Sequence, residues 1–344
     1  MINYPFDLPT AWFLLVGVLL TGYALLDGFD LGAGALHLFA KGDQNRRVIL
    51  NAIGPVWDGN EVWLLVGGGA LFAAFPDVYA TVFSGFYLAF MLVLAGMIFR
   101  AIAIEFRSRE SSPRWRKNWD IAFSVSSIVL PILMGVALGN IILGIPMNAQ
   151  KEYTADFFYL LLHPFPILMG VTTLAMFMMH GAIYLALKTE GELQAQVRRW
   201  VNGAMAFYFV MVVVISIATY IWAPYMMQKI LANPILLALP VAHALALANV
   251  PRELSRGKDF NAFLMSCFSI VCNLALFGLG MFPTLVPNRD PNGLSLTIQN
   301  SASTPLSLST MMTIAIIGVP FVLAYTAAIY WVFRGKVDTK HLHY

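Results

Sequence analysis

Long runs of apolar residues, separated by short polar segments, dominate this chain of 344 residues. Charged residues make up 11% of it and hydrophobic residues 59%, whereas a soluble domain has about 25% and about 45–50%. So few charges cannot cover a surface that faces water, and most of this surface must therefore face lipid. The composition excludes a soluble protein and predicts an all-α polytopic membrane protein.

The apolar stretches mark the predicted membrane-spanning helices, since a helix needs about 20 apolar residues to cross a bilayer core about 30 Å thick. The first stretch lacks a basic segment and a cleavage site, so it is predicted to be a retained span and no signal peptide. No linker separates the stretches, and residues 1–344 are interpreted as a single transmembrane domain. We predict nine helices, at about 10–40, 48–74, 79–104, 120–144, 157–187, 200–226, 235–250, 260–283 and 307–333.

Basic residues predict the orientation of these spans. Seventeen of the 21 lysines and arginines lie in five segments, at 41–47, 107–117, 188–199, 252–258 and 334–340. With nine spans all five segments fall on one side, which the positive-inside rule makes cytoplasmic. The N-terminus is then outside and the C-terminus cytoplasmic. Because the basic residues lie in short loops, the net charge of +3 does not indicate a nucleic-acid partner.

Several ionisable residues lie inside the predicted spans, where each costs several kcal/mol and is a functional candidate by default. Asp27 and Asp30 are three residues apart on the first span, so they share a helix face. Glycines at 28, 32 and 34 predict a close approach by a neighbouring helix. The second span has the same spacing in Asp58 and Glu61. Other residues of interest in these spans are Trp57, Asn60, Trp63, Arg100 and Asp120.

The depths of these residues can be estimated from the basic segments at 1.5 Å per residue. Asp30 and Asp58 are expected about 15 Å from the cytoplasmic face, with Arg100 and Asp120 on the same side but shallower. Two interpretations remain open: Arg100 pairs with an acid to hold the bundle together, or surplus acids carry protons or cations inward. Acids outnumber the arginine, so pairing alone cannot neutralise them all.

Other candidate ligands are weaker. His163, His180 and His243 lie in or near spans and could ligate haem iron, but a lone membrane histidine is more often a hydrogen-bonded packing residue. Cys267 and Cys272 are five residues apart, which places them about 140° apart around a helix and predicts neither a disulfide nor a metal pair. The sequence has no phosphate-binding glycine loop, nucleophile elbow or zinc spacing.

An ordered set of motifs resembles one known family, subunit II of the cytochrome bd-type quinol oxidases. The set consists of GFDLGAG at 28–34, GPVWDGNEVW at 54–63, GGGALFAAFPDVYATVFSGFY at 67–87, RWRKNWD at 114–120, GVALGN at 135–140, MFPTLVP at 281–287 and SLT at 295–297. The resemblance covers essentially the whole chain.

The resemblance implies a complex in the bacterial cytoplasmic membrane that oxidises quinol and reduces dioxygen to water with cytoplasmic protons. Two haems b and one haem d are expected in subunit I, and this chain is expected to ligate no haem and no metal. It is expected to have nine helices, as two four-helix bundles plus one helix, and to pair with subunit I. A small single-span subunit, and a quinone held here as a structural lipid, are also implied.

Individual residues match positions of the family pattern. Asp58 matches its proton-path acid, and Trp63, near Trp57, matches its oxygen-access route. Glu61 stands where many members have glutamine, and it adds a carboxyl beside Asp58. The family's charged framework matches three residues, Asp30, Arg100 and Asp120.

Two other functions remain as alternatives. A proton- or cation-coupled secondary transporter would also place carboxylates inside spans, although the two halves of this chain show no matching broken-helix motif. A purely structural subunit, with all chemistry in its partner, is the third interpretation.

Overall fold

The structure, a computed structural model, describes residues 7–155, 163–290, 292–340 and 342–344. The first half is helical. Asp7 caps the first helix by accepting a hydrogen bond from the Thr10 backbone N–H, at 3.1 Å. The helices of this half are α1 Leu8–Leu36, α2 Asp43–Ile53, α3 Trp57–Ala74, α4 Pro76–Gly85, α5 Tyr87–Phe106 and α6 Pro113–Leu143. Short 3₁₀ turns follow α1 at His37–Phe39 and α5 at Arg107–Arg109.

The described part of the second half contains six more helices and a small antiparallel pair of strands. Proline stands in the first turn of four of them, at Pro164, Pro224, Pro234 and Pro305, where its missing N–H has no helical partner to lose. An antiparallel pair of strands, β1 Thr284–Val286 and β2 Leu296–Thr297, lies before the last helix. The helices are α7 Pro164–Lys188, α8 Gly191–Trp222, α9 Pro224–Ala232, α10 Pro234–Ser255, α11 Asp259–Met281 and α12 Pro305–Val332.

Eight of the described helices are long and apolar enough to cross a membrane. The pair α3–α4, which bends by 120° at Phe75, brings the number to as many as nine. The all-α polytopic class and a count of eight to nine spans are therefore confirmed. Residues 157–162 of the fifth predicted stretch lie outside the described residues, and α7 begins at Pro164.

The predicted second span, at 48–74, is wrong as one continuous helix. The chain breaks between Ile53 and Trp57, so that α2 and α3 are separate helices. Pro55 lies in the break and has no N–H with which to continue a helical ladder. The apolar residues in the second half of α2 are buried in the core, and in the sequence they continue the apolar stretch of α3. The third stretch is likewise divided, between α4 and α5.

Helix α1 lies at the centre of the fold and packs against α3, α6, α7 and α11. Its contact with α7 needs glycine at 32, because a Cβ there would lie 1.8 Å from the Phe177 carbonyl oxygen. Gly181 of α7 lies in the same contact. The close approach predicted from the glycines of the first span is confirmed. Further pairs are α5 with α6, α7 with α8, and α10 with α11, while α12 packs on α1 and α3.

Hydrogen bonds and ion pairs bring the five basic segments to one end of the fold. Arg107 and Arg116 both bind Asp43, at 2.8 and 2.9 Å, which joins the second segment to the first. The Lys188 ammonium donates to the Phe333 carbonyl, at 2.6 Å, which joins the third to the last. In addition, the Arg198 guanidinium donates to the Leu254 carbonyl, at 2.8 Å, beside the fourth segment. The five segments that hold most of the basic residues in the sequence thus lie together at one end of the folded chain.

Candidate functional site

A buried arginine joins three helices of the first half. The Arg100 side chain on α5 is 1% exposed, and its Nη2 atom donates to Asp27 on α1 and Glu61 on α3, at 2.6 Å each. Its Nε and Nη1 atoms have no hydrogen-bond partner in the described part of the chain. The predicted pairing of Arg100 with an acid is confirmed. Its predicted shallower depth is wrong, because α5 continues to Phe106 and places Arg100 level with Asp27 and Glu61.

Asp30, one turn from Asp27, is held without a cation. Its side chain is buried, and its Oδ2 atom accepts a hydrogen bond from the Asn60 amide at 2.7 Å. The Asn60 amide nitrogen also donates to the Leu26 carbonyl, at 3.2 Å, and its oxygen accepts from the Tyr330 hydroxyl, at 2.9 Å. The second carboxyl oxygen of Asp30 has no partner among the described residues. Asp30 is therefore a buried carboxyl in a neutral, hydrogen-bonded setting.

Asp120 belongs to a different group, at the basic end of the fold. Its carboxyl accepts from Arg107 Nε at 2.5 Å and from Arg46 Nη1 at 2.9 Å, and it contacts His37 Nε2 at 2.6 Å. Asp120 is 1% exposed, whereas the Arg46 side chain is 26% exposed. One buried acid here faces two arginines and a histidine.

The predicted framework of Asp30, Arg100 and Asp120 is not a single network in the structure. No hydrogen bond or ion pair found in the described residues joins any two of the three. Each has its own partners: Asn60, the pair Asp27 and Glu61, and the basic cluster around Arg107.

Asp58 differs from these buried residues because it is exposed. It lies in the first turn of α3, and no hydrogen bond or ion pair of its side chain is found among the described residues. Glu61, one turn further on, points inward to Arg100 and is 15% exposed. The rest of the outward face is apolar, with Val62, Leu65 and Val66 exposed. Asp58 thus stands at the end of an apolar strip of α3 that faces away from the helix bundle.

The two tryptophans near Asp58 are placed differently. Trp57 is buried in the main core cluster, whereas Trp63 is half-buried on α3. The Trp63 ring lies against Gly22 of α1, where a Cβ would come within 2.3 Å of the ring. Trp63 therefore fills the contact between α1 and α3.

Sequence reasoning missed several residues of these groups, namely His37, Arg46, Arg107 and Tyr330. Some signal for two of them was present, since Arg107 follows Arg100 by seven residues and His37 follows Asp30 by seven. That spacing places each pair on one helix face. Both lie in 3₁₀ turns beyond the apolar stretches, where hydropathy gave no reason to include them.

The histidines considered as ligands make hydrogen bonds with protein atoms. His180 uses both ring nitrogens, with Ser266 Oγ at 2.8 Å and the Leu25 carbonyl at 3.0 Å. His243 Nδ1 contacts the Ser269 carbonyl at 3.1 Å, and His163 accepts from the Phe165 N–H at the start of α7. Within the described ranges, no group of three or more histidine, cysteine or acidic side chains is arranged to hold a metal ion. Both cysteines are free.

Comparison with known proteins supports the resemblance seen in the motifs. The family model described as cytochrome bd terminal oxidase subunit II matches residues 8–333. The chain belongs to this family. Cytochrome bd-I ubiquinol oxidase subunit 2 of Escherichia coli strain K12 is 37% identical over 362 residues, covering 96% of this chain and 95% of that protein.

Two further comparisons agree with this membership. Cytochrome bd ubiquinol oxidase subunit 2 of Bacillus subtilis strain 168 is 32% identical over 334 residues, which cover 96% of each protein. A chain in the structure of bd oxidase from Geobacillus thermodenitrificans matches with a TM-score of 0.77 at 15% identity, over 95% of this chain and 98% of that one. At 15% sequence identity, this structural match shows that the two chains share a fold.

Family membership confirms the predicted class of enzyme. The chain is a subunit of a membrane oxidoreductase, a cytochrome bd-type oxidase, and a multi-pass protein of the bacterial inner membrane. The family implies a haem-containing complex with a subunit I partner and a quinol substrate. The secondary-transporter alternative is not favoured.

Proposed function

We propose that this chain is the haem-free subunit of a bd-type quinol:oxygen oxidoreductase and that Asp58 relays cytoplasmic protons toward the oxygen-reducing haem in subunit I. The exposure of Asp58 carries the proposal. A carboxylate without a cation partner is costly where a helix faces lipid. The surface around Asp58 is therefore better suited to a protein partner that offers polar contacts than to acyl chains.

Glu61 extends this path inward in the proposal. It lies one helical turn from Asp58, is 15% exposed, and binds Arg100 together with Asp27. Two acids, Asp27 and Glu61, bind Arg100, and a third, Asp30, lies one turn from Asp27, so a single arginine cannot neutralise all three carboxyl groups. A surplus of carboxyl groups is what proton transfer needs, because a carboxyl can both accept and release a proton.

The remaining features of the complex belong to the same proposal. The end with the basic segments is cytoplasmic, which places the N-terminus outside and the C-terminus inside. The helices form two four-helix bundles, with α12 as the additional helix. Arg100 and Asp120 hold the first bundle together from two levels. The members of the bundles are α1, α3, α5 and α6 in one, and α7, α8, α10 and α11 in the other.

The cofactors are assigned to the partner. Two haems b and one haem d lie in subunit I, in keeping with the buried His180, whose two ring nitrogens are taken by protein atoms. Trp63, with Trp57 nearby, borders the oxygen-access route. A structural quinone bound to this chain and one small single-span subunit complete the proposed assembly.

The test is turnover of the intact complex with Asp58→Asn. We expect normal haem content and a fall in quinol-dependent oxygen consumption of at least about tenfold, because a proton relay contributes rate through a titratable group. Asp58→Glu keeps such a group and should recover much of the rate. Glu105→Gln, which removes another exposed acid at the basic end, is the matched control.

Two results would count against the relay. Wild-type oxygen consumption and charge separation in the Asp58→Asn complex would leave the chain a purely structural subunit. Loss of haem with unchanged turnover per remaining haem would make Asp58 a structural residue.

A further inference from the structure

The segment after α12 folds back across the basic end of the molecule. Lys188 and Thr189, at the end of α7, fix its course. The Val337 N–H donates to the Lys188 carbonyl, at 2.9 Å, and the Lys336 ammonium donates to the Thr189 carbonyl, at 2.5 Å. The segment is therefore held against the fold well before its last residues.

Those last residues dock on α2. Arg47 donates from Nε to the Tyr344 carbonyl oxygen and from Nη2 to the Leu342 carbonyl, at 2.9 and 2.8 Å. Asn51, one turn further along α2, accepts from the His343 N–H at 2.8 Å and donates to the Tyr344 carbonyl at 3.2 Å. Two side chains on one face of α2 thus hold the backbone of three consecutive residues.

The Tyr344 side chain fills the break between α2 and α3. Its hydroxyl donates to the Gly54 carbonyl, at 3.3 Å, and its ring lies so close that a Cβ on Gly54 would be 2.2 Å from it. The ring also packs against the core cluster that contains Trp57. Only glycine at 54 leaves room for this ring.

The last turn of α12 holds α3 at a second point. The Tyr330 hydroxyl donates to the Asn60 amide oxygen, at 2.9 Å. Asp58 lies between Gly54 and Asn60, which are the two points held by tyrosine hydroxyls. The first turn of α3 has no side-chain cap, so these contacts supply restraint that its own N-terminus lacks.

We propose that Tyr344 and Tyr330 are positioning residues that fix the location of the Asp58 carboxyl and thereby set the rate at which it delivers protons. This inference rests on the relay role proposed for Asp58. Proton transfer requires donor and acceptor to approach within hydrogen-bonding distance, directly or through one water. The first turn of α3 follows an interruption of the helix and can shift in position. The contacts of the two tyrosines oppose that shift.

The experiment measures quinol oxidation by the intact complex in lipid vesicles. For Tyr344→Ala we expect kcat to fall about tenfold with KM for quinol unchanged, since a displacement of about 1 Å is costly for transfer but leaves substrate binding alone. Gly54→Ala, which displaces the ring by adding a methyl group, should have the same effect. Tyr344→Phe and Tyr330→Phe each remove one hydroxyl and should lower kcat by less.

His343→Ala is the matched control, because the exposed His343 contacts Asn51 through its backbone N–H. We expect it to leave kcat, KM and haem content unchanged. In the double variant Asp58→Asn with Tyr344→Ala, turnover should be no lower than with Asp58→Asn alone, because a positioning residue acts through the group it positions.

Each alternative result has a distinct meaning. Unchanged kcat in both Tyr344→Ala and Gly54→Ala overturns the inference, as does a loss confined to haem content with turnover per haem intact. An additive loss in the double variant overturns it as well. Wild-type turnover of Asp58→Asn would overturn the relay itself, whereas a slow Asp58→Asn complex with a normal Tyr344→Ala complex overturns the positioning role alone.

Discussion

Two buried ionic groups occupy neighbouring levels of the first half of the molecule, and they are unbalanced in opposite directions. Around Asp120, one buried acid faces Arg46, Arg107 and His37. Around Arg100, one buried arginine faces two acids, and Asp30 lies nearby with an amide as its partner. The first group has an excess of basic groups and the second an excess of acids.

The surroundings of the two groups explain why each imbalance is tolerated. The basic group reaches solvent, since the side chains of Arg46 and Asp43 are 26% and 44% exposed. Water can solvate its extra charge. The acidic group lies deeper, where the Arg100 and Asp27 side chains are each 1% exposed and an uncompensated charge is costly. An excess of carboxyl groups at that depth favours proton chemistry, whereas the basic group is suited to holding helix ends together.

The largest effect is expected from Arg100→Gln. This change leaves Asp27 and Glu61 buried without their cation, a loss that costs about 3–5 kcal/mol for a buried pair. We expect little assembled complex, measured as haem per protein and as the thermal midpoint of what remains.

Arg199→Gln is the control for Arg100, because Arg199 is an exposed arginine at the basic end. It should assemble normally. A wild-type thermal midpoint in the Arg100→Gln complex would show that the acids around Arg100 do not need a cation. The acidic group would then not depend on its ion pairs, contrary to the comparison made above.

Asp120→Asn should have a smaller effect. It removes a charge from a group whose arginines keep other contacts, since Arg107 still binds Asp43. Losing hydrogen bonds to a charged group costs about 1.5–3 kcal/mol. We expect a lower thermal midpoint with unchanged turnover per haem. A fall in turnover per haem as large as that of Asp58→Asn would mean that both groups take part in proton transfer.

The sequence was sufficient for the class of fold and for several of the buried charges, Asp27, Asp30, Arg100 and Asp120. Apolar runs are long and charges are rare, so each span and each buried charge stands out against its neighbours. The pairing of Arg100 with an acid was one of the two interpretations that the sequence left open, and it reflects the cost of burying a charge alone. The length of the apolar stretch did not reveal the break at Pro55, because the apolar residues at the end of α2 and those of α3 form one stretch in the sequence.

Contacts between helices could not be predicted in the same way. A helical repeat shows that Arg100 and Arg107 share a face, but it does not show which helix that face meets. The register between α1, α3 and α5 depends on packing, such as the contact of Gly22 with Trp63. The docking of Tyr344 on Gly54 joins residues 290 positions apart, and no local pattern marks such a contact.

The smallest effect is expected from Glu61→Gln. Glutamine keeps an oxygen that can accept from Arg100, and Asp27 still supplies a charge for that arginine. We expect normal haem content and a fall in turnover of about threefold, equivalent to about 0.6 kcal/mol in activation free energy. Oxygen consumption per haem measures it, with Glu105→Gln again as the control. A loss equal to that of Asp58→Asn would make Glu61 an obligatory part of the path, and no loss at all would make it only a partner of Arg100. Either result would decide whether Glu61 takes part in the proposed proton path or only holds Arg100.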